Sequence, residues 1–204
     1  MSSDRLRTLG KRLRPAVSRA ADAVLRLDST AAVSPRFDDG RMQGYQASYW
    51  LTVPLALRDL PIRADDAFVD LGCGKGRALY LASWYPFGRI VGVEKDPALA
   101  DVARHNTTRG RGTRRLRRVE VVCGDARSAE LPPSLRVAFL FNPFRGAVLE
   151  EVVRRVRDHA RAEGRPVRLI YANPTEAATV HELGFQLVHR SRHCDVYDYE
   201  GGAG

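Results

Sequence analysis

Lysine is nearly missing from this 204-residue chain: three lysines stand against thirty arginines. The formal net charge is +9, which by itself invites a nucleic-acid partner. GC-rich coding produces the same arginine skew without selection for binding, so the charge is thin evidence for that class. Cysteine is also scarce. Cys73, Cys123 and Cys194 are odd in number, form no CxxC and have no metal-ligand spacing, which excludes a disulfide framework and a zinc module. Two of them lie in or beside strand patterns, where cysteine acts as a small hydrophobe. No run of eighteen apolar residues exists to span a membrane. The N-terminus lacks the apolar core of a secretory signal; it is Arg-rich and amphipathic, faintly like a transit peptide, with Asp4, Asp22 and Asp28 counting against that. These absences lead to the expectation of a reduced, cytoplasmic protein. His105, His159, His181, His189 and His193 show neither triad nor metal spacing, and no catalytic role or metal is assigned to them.

What is present is a chain long enough for one well-buried α/β domain with an extension. We divide it into a basic helical extension and loop (1–44), a domain (45–200) and a loose tail (201–204). Leu6, Leu9, Leu13, Val17, Ala20 or Ala21 and Val24 recur at steps of three and four, one face of a helix with basic residues opposite. That helix is expected to cover the domain or fray at the terminus; docking on RNA, a membrane surface or a partner is the alternative. Pro15 breaks or kinks it. A loop rich in Ser, Pro, Asp and Gly follows, and then "YQASYWLTVPLALRDLP" reads as a helix with a proline near its middle.

From residue 66 strands alternate with helices. Strands are expected at 67–72, 89–94, 118–125, 136–142 and 167–173, with helices at about 77–85, 97–107 and 147–162. Strands this apolar, separated by helices, require a parallel sheet covered on both faces. "GFQLVHRSRHCDVYDYE" adds a terminal antiparallel hairpin. The predicted fold is an α/β, Rossmann-like doubly wound three-layer sandwich. Its sheet has seven mostly parallel strands, and the last is antiparallel.

"FVDLGCGKGRALYLAS" carries the chemistry. Gly72, Gly74 and Gly76 follow a strand and open a helix, where unpaired N–H groups face an acceptor. Gly72 allows a tight turn, Gly74 a close approach of another molecule and Gly76 close helix–strand packing. The spacing is GxGxG, one residue short of the dinucleotide fingerprint, and the GK[ST] ending of a P-loop is missing. Asp70, just before the loop, would repel a pyrophosphate but suits a cation. Glu94 ends the next strand, where an acid grips ribose hydroxyls. Ribose plus a cationic neighbour selects S-adenosylmethionine over NAD.

"DLGCGKGR", "GVEKD", "CGDA" and "FLFNPF", in this order, resemble class I S-adenosylmethionine-dependent methyltransferases. The chain is especially similar to bacterial members of unassigned substrate that pair a GCGKGR loop with an NPF motif, over about residues 45 to 199. The resemblance implies that Asp70 organises the loop and the methionine end of the cofactor and that the glycines pack against it. Glu94 then holds the ribose and Asp125 meets the adenine amino group. Cys73, Lys95 and Ala126 fall within the same cofactor-binding motifs. A turn or helix-cap role is the structural alternative for Asp125.

Asn142, Pro143 and Phe144 follow the fourth strand at its carboxyl end. They resemble the (D/N)PP(Y/F) motif of amino-group methyltransferases, in which the Asn oxygen and a proline carbonyl accept hydrogen bonds from a planar NH₂ and the aromatic ring stacks on the acceptor. Asn142 would also border the cofactor. This chain has one proline, so Phe144 stands a residue closer to Asn142; an Asn-Pro turn with Phe144 packed over the sheet edge is the alternative. Tyr45, Tyr49 and Arg145 are the candidate acceptor-side residues. "RGRGTRRLRR" (109–118) joins a helix to the following strand, at the amino ends and away from the pocket. The expected function is therefore methyl transfer, most plausibly to nitrogen, with a protein, nucleic acid or small molecule as acceptor. A specific RNA/DNA-base or protein-lysine enzyme, or a non-catalytic cofactor-binding adapter, is the alternative.

Overall fold

The computed structural model describes residues 17–30, 48–110, 118–141, 144–191 and 194–202. Seven strands form one sheet: β1 (Ala67–Leu71), β2 (Arg89–Glu94), β3 (Val119–Cys123), β4 (Leu135–Phe141), β5 (Val167–Ala172), β6 (Gln186–Arg190) and β7 (Cys194–Tyr199). Their order is β3-β2-β1-β4-β5-β7-β6. β1 to β5 pair in parallel, while β7 runs antiparallel between β5 and β6. This is the predicted Rossmann-like sandwich, and its sequence order reverses beside the central β1, where open α/β sheets bind ligands at the carboxyl ends.

The alternation of side chains along each strand divides the core. Val69, Leu71, Val91, Val93, Ala138 and Leu140 pack against α5 (Ala147–Glu163), whose Leu149, Val152, Val153, Val156 and Ala160 form one helical stripe. Phe68, Ile90, Val137, Phe139, Ile170 and Val196 face the other layer, built from α2 (Thr52–Leu57), α3 (Arg77–Ala82) and α4 (Pro97–Arg109). Asp70 follows Phe68 on that second face by the period-two rule. α6 (Ala177–Glu182) was not foreseen. It is six residues long and buries only Val180, too little to leave a periodic signal.

Two expectations need correction. Among the described residues of "YQASYWLTVPLALRDLP", the expected helix spans Thr52–Leu57. Pro54 lies in its first turn, where the missing N–H had no intrahelical partner to lose. Residues 17–25 are helical (α1), but the apolar stripe does not face the domain: Val17 is 64% exposed and Val24 70%. The face that docks carries the buried Asp22, and Leu27 is buried just beyond the helix. Leu6, Leu9 and Leu13 lie outside the described residues.

Gly92, in the middle of β2, sets how closely the layers meet. A Cβ there would stand 2.4 Å from Leu79 Cδ1 and 2.8 Å from Cys73 Sγ. Gly92→Ala should destabilise the protein by about 1–3 kcal/mol through overpacking, read as a lowered midpoint in urea unfolding. An unchanged midpoint would mean that the glycine loop yields freely.

Candidate cofactor site

The site is assembled where β1, β2 and β3 end. The N–H groups of Gly72 and Cys73 donate to Val93 O at 2.8 and 2.9 Å, folding the loop back over β2, and Gly124 N–H donates to Glu94 O at 2.9 Å. Gly72, Gly74 and Gly76 have φ of 89°, 51° and 79°, in the region where only glycine is unstrained. The Glu94 side chain holds the arrangement together. Its Oε2 accepts from Gly74 N–H at 2.8 Å and its Oε1 from Asp96 N–H at 2.9 Å. Asp96 in turn caps α4, accepting from Ala98 N–H at 2.8 Å with Pro97 in the first turn.

Asp70 sits in the central strand between Gly92 of β2 and Phe139 of β4. It is buried, and its Oδ1 has no hydrogen-bond partner. Burial, and then the charge of Glu94, push its carboxyl well above the usual carboxylate range. Burial also raises Glu94, opposed by the backbone N–H groups it accepts. Cys73 is buried against the same loop, its thiol raised by burial and then by both acids, so it is a packing residue that favours the neutral form. A buried acid with an unpartnered oxygen, beside a second acid, calls for a donor or a positive charge.

Asp125, after β3, is half-buried and engaged. Arg127 donates from its backbone N–H to Oδ1 at 2.9 Å and from its guanidinium to Oδ1 at 3.1 Å and Oδ2 at 2.7 Å, and Lys95 Nζ lies 3.7 Å from Oδ2. The Arg127 hydrogen bonds hold the Asp125 carboxyl down at about 2. The hydrogen bond from Arg127 N–H is the one an Asp makes in a turn, as the structural alternative for this residue expects. Stability from this group is present above the ordinary carboxylate range and is lost as pH falls towards 2. Arg127→Ala should return the Asp125 titration towards the ordinary value, seen in the carboxyl-carbon chemical shift. Titration still near 2 would assign the effect to the backbone turn instead.

The remaining sequence candidates separate. Ala126 is buried beside Asp125, and Lys95 is exposed. Tyr49 is half-buried and its carbonyl accepts from Thr52 N–H at 3.0 Å, at the start of α2. Arg145 is exposed at the carboxyl end of β4, before Gly146, whose N–H donates to Glu176 Oε2 at 2.8 Å. Tyr45, Asn142 and Pro143 lie outside the described residues, as do 111–117 of the arginine run. Phe144 is packed in the core with Leu140, Leu149 and Val153. A ring buried there matches the packed alternative given above for Phe144.

The sequence analysis assigned no role to Lys75 and Arg77, on either side of Gly76. Both are buried. The available signal was α3 itself: every residue of "RALYLA" is buried, so an arginine opening it cannot reach solvent without a partner.

Residues 68–164 match the family model described as a methyltransferase domain. The match takes in all but the first residue of β1, the glycine loop, β2 to β4, Glu94 and Asp125, but not Tyr49. A probable S-adenosylmethionine-dependent methyltransferase of Saccharomyces cerevisiae is 21% identical over 148 residues, 72% of this chain and 50% of that protein. The chain therefore spans about half the length of this curated relative. Among solved structures, a putative RNA methyltransferase from Pyrococcus horikoshii is similar over 90% of this chain and 97% of its own, with a TM-score of 0.58 and 18% identity. An RNA methyltransferase from Salinibacter ruber, in complex with S-adenosyl-L-homocysteine, covers 72% of this chain and 88% of its own, with a TM-score of 0.52 and 23% identity. At these identities the likeness is one of fold. Among the described residues no helix is long and apolar enough to cross a membrane.

Proposed function

We propose that this protein is an S-adenosylmethionine-dependent methyltransferase that acts on a nitrogen acceptor. The observation that carries the cofactor reading is Asp70: a buried carboxylate with an unpartnered oxygen, in the central strand, immediately before a loop of three left-handed glycines. A pyrophosphate would be repelled there, whereas a ligand with an ammonium group supplies the missing donor. Glu94 is placed for ribose hydroxyls, since each of its oxygens spends one lone pair on a backbone N–H and keeps another. Asp125 is positioned at the next strand end for an adenine amino group. When bound, the cofactor supplies a methyl group already activated on a sulfonium.

The work left to the chain is alignment. Asn142 and the Pro143 carbonyl, following β4, accept hydrogen bonds from an amino group and orient its lone pair. Phe144, the next residue, is buried in the core. Arg145 and Tyr49 stand on the acceptor side. The NPF motif is the reason for choosing nitrogen.

Calorimetric titration with S-adenosylmethionine, S-adenosylhomocysteine and NAD tests the reading. Micromolar binding of the first two, with none for NAD, is expected. Binding of NAD alone overturns it. Binding without methyl transfer from labelled donor to RNA, protein or metabolite pools would make the chain a cofactor-binding adapter.

A further inference from the structure

Two separate stretches of chain converge on one buried guanidinium beside the glycine loop. Arg77 is the first residue of α3, directly after Gly76, and is 5% exposed. Its Nε donates to Ser29 Oγ at 2.8 Å, its Nη1 to Ser48 O at 2.7 Å, and its Nη2 to Thr30 Oγ1 at 3.0 Å and, more weakly, to Asp22 Oδ1 at 3.4 Å. The Trp50 ring lies under it, 4.9 Å from centroid to Cζ. Asp22 in turn accepts from Ser29 N–H at 3.0 Å, from Ser29 Oγ at 2.7 Å and from the Thr30 hydroxyl.

A second set of contacts runs alongside. Lys75, 3% exposed, donates to Asp28 Oδ1 at 3.1 Å. Asn106 of α4 donates to both Asp28 O, at 3.1 Å, and Lys75 O, at 2.8 Å, and accepts from Asp28 N–H at 2.8 Å. Arg26, at φ 56°, turns the chain at the end of α1 so that Asp28 to Thr30 return to the loop. The segment is thus joined to the loop and α3 by these polar contacts and by Leu27, which packs with Tyr80, while Val17 and Val24 face outward.

The position of Arg77 is electrostatically unfavourable. A cation at a helix N-terminus opposes the helix dipole, and the helix has neither an acidic residue in its first turn nor a side-chain cap. Burial adds a desolvation penalty. Lysine could not replace it, because one ammonium cannot span acceptors on residues 22, 29–30 and 48 in a fixed fork.

We propose that Arg77 is a positioning residue. Its guanidinium joins residues 22–30 and 48–50 to the cofactor loop, so that cofactor affinity depends on Asp22, Ser29 and Thr30. The proposal rests on the S-adenosylmethionine reading of the glycine loop. Linkage makes the coupling reciprocal: a ligand that orders the loop must also hold the segment more tightly.

Hydrogen exchange of peptides covering 22–30, with and without S-adenosylhomocysteine, tests this together with calorimetric affinity for Asp22→Asn, Ser29→Ala and Arg77→Lys. In the wild type the ligand should slow exchange at Asp28 and Ser29 about tenfold. Asp22→Asn and Arg77→Lys should each weaken binding at least tenfold and remove that slowing. Ser29→Ala takes away one neutral acceptor without orphaning a buried charge, and covers the case in which the charged-pair variants do not fold. It should weaken binding severalfold. A wild type that binds but shows no change in exchange, or variants that fold and bind within twofold of it, would overturn the coupling alone. A wild type that binds no S-adenosylhomocysteine would overturn the cofactor reading, and the proposal with it.

Discussion

Glu94→Ala is expected to abolish calorimetrically detectable binding of S-adenosylmethionine and S-adenosylhomocysteine while the sheet stays folded. The side chain does two things at once. It offers acceptors to a ribose, and it cross-links the glycine loop to the start of α4 through Gly74 N–H and Asp96 N–H. Alanine leaves both buried donors without their acceptor, at a cost of about 1–3 kcal/mol for each such group. The relief of a buried carboxylate held above its ordinary range offsets part of that. A loss of binding of about a hundredfold or more corresponds to roughly 2.7 kcal/mol, and the melting temperature should fall by only a few degrees. Glu94→Gln separates the two roles. Its carbonyl can still accept from one backbone N–H, but its NH₂ meets the other donor head-on, so it should bind more weakly than wild type. An alanine variant that binds within threefold of wild type would remove Glu94 from the site.

Asp70→Asn should do the opposite to stability and the same to binding. In the unliganded protein Asp70 is a buried acid with an unpartnered oxygen, raised by burial and by Glu94. The folded state therefore keeps a proton that the unfolded chain has released, between the ordinary carboxylate range and the raised value. Stability from this group is full below that window and declines as pH rises through it. Removing the charge should raise the unliganded melting temperature at neutral pH by several degrees, since about 1 kcal/mol corresponds to roughly 2–4 °C at this chain length. It should also flatten the fall of stability with pH. The acid is useful only when a cationic ligand meets it, so wild-type affinity should rise with pH through the same window, and the variant should lose both the affinity and its pH dependence. An Asp70→Asn protein that is less stable and binds normally would make Asp70 a structural acid.

These two acids were legible in the sequence because the backbone imposes their setting. A strand ending at Leu71 must turn at Gly72, and an acid before that turn and another at the end of the next strand land on neighbouring parallel strands. The same periodicities located the parallel strands, the hairpin and helices α3, α4 and α5. What the sequence could not show was which face of a helix finds a partner. The 3.6-residue pattern of α1 marks Val17 and Val24 as an apolar face, yet the side that docks carries Asp22, which meets Arg77, and Leu25.

Phe144 illustrates the same limit. Its place after Asn142 and Pro143 suits both a stacking ring and a core residue, and only the packing of Leu140, Leu149 and Val153 around it decides between them. Arg77 is the third case. Four acceptor groups, 29 to 55 residues away in sequence, meet it in space. Periodicity and spacing report short-range order along the chain. Who lies opposite a buried charge is set by long-range packing, so the sequence by itself determined the sheet, the loop and its two acids. The tertiary structure decided what the remaining charges of that loop are for.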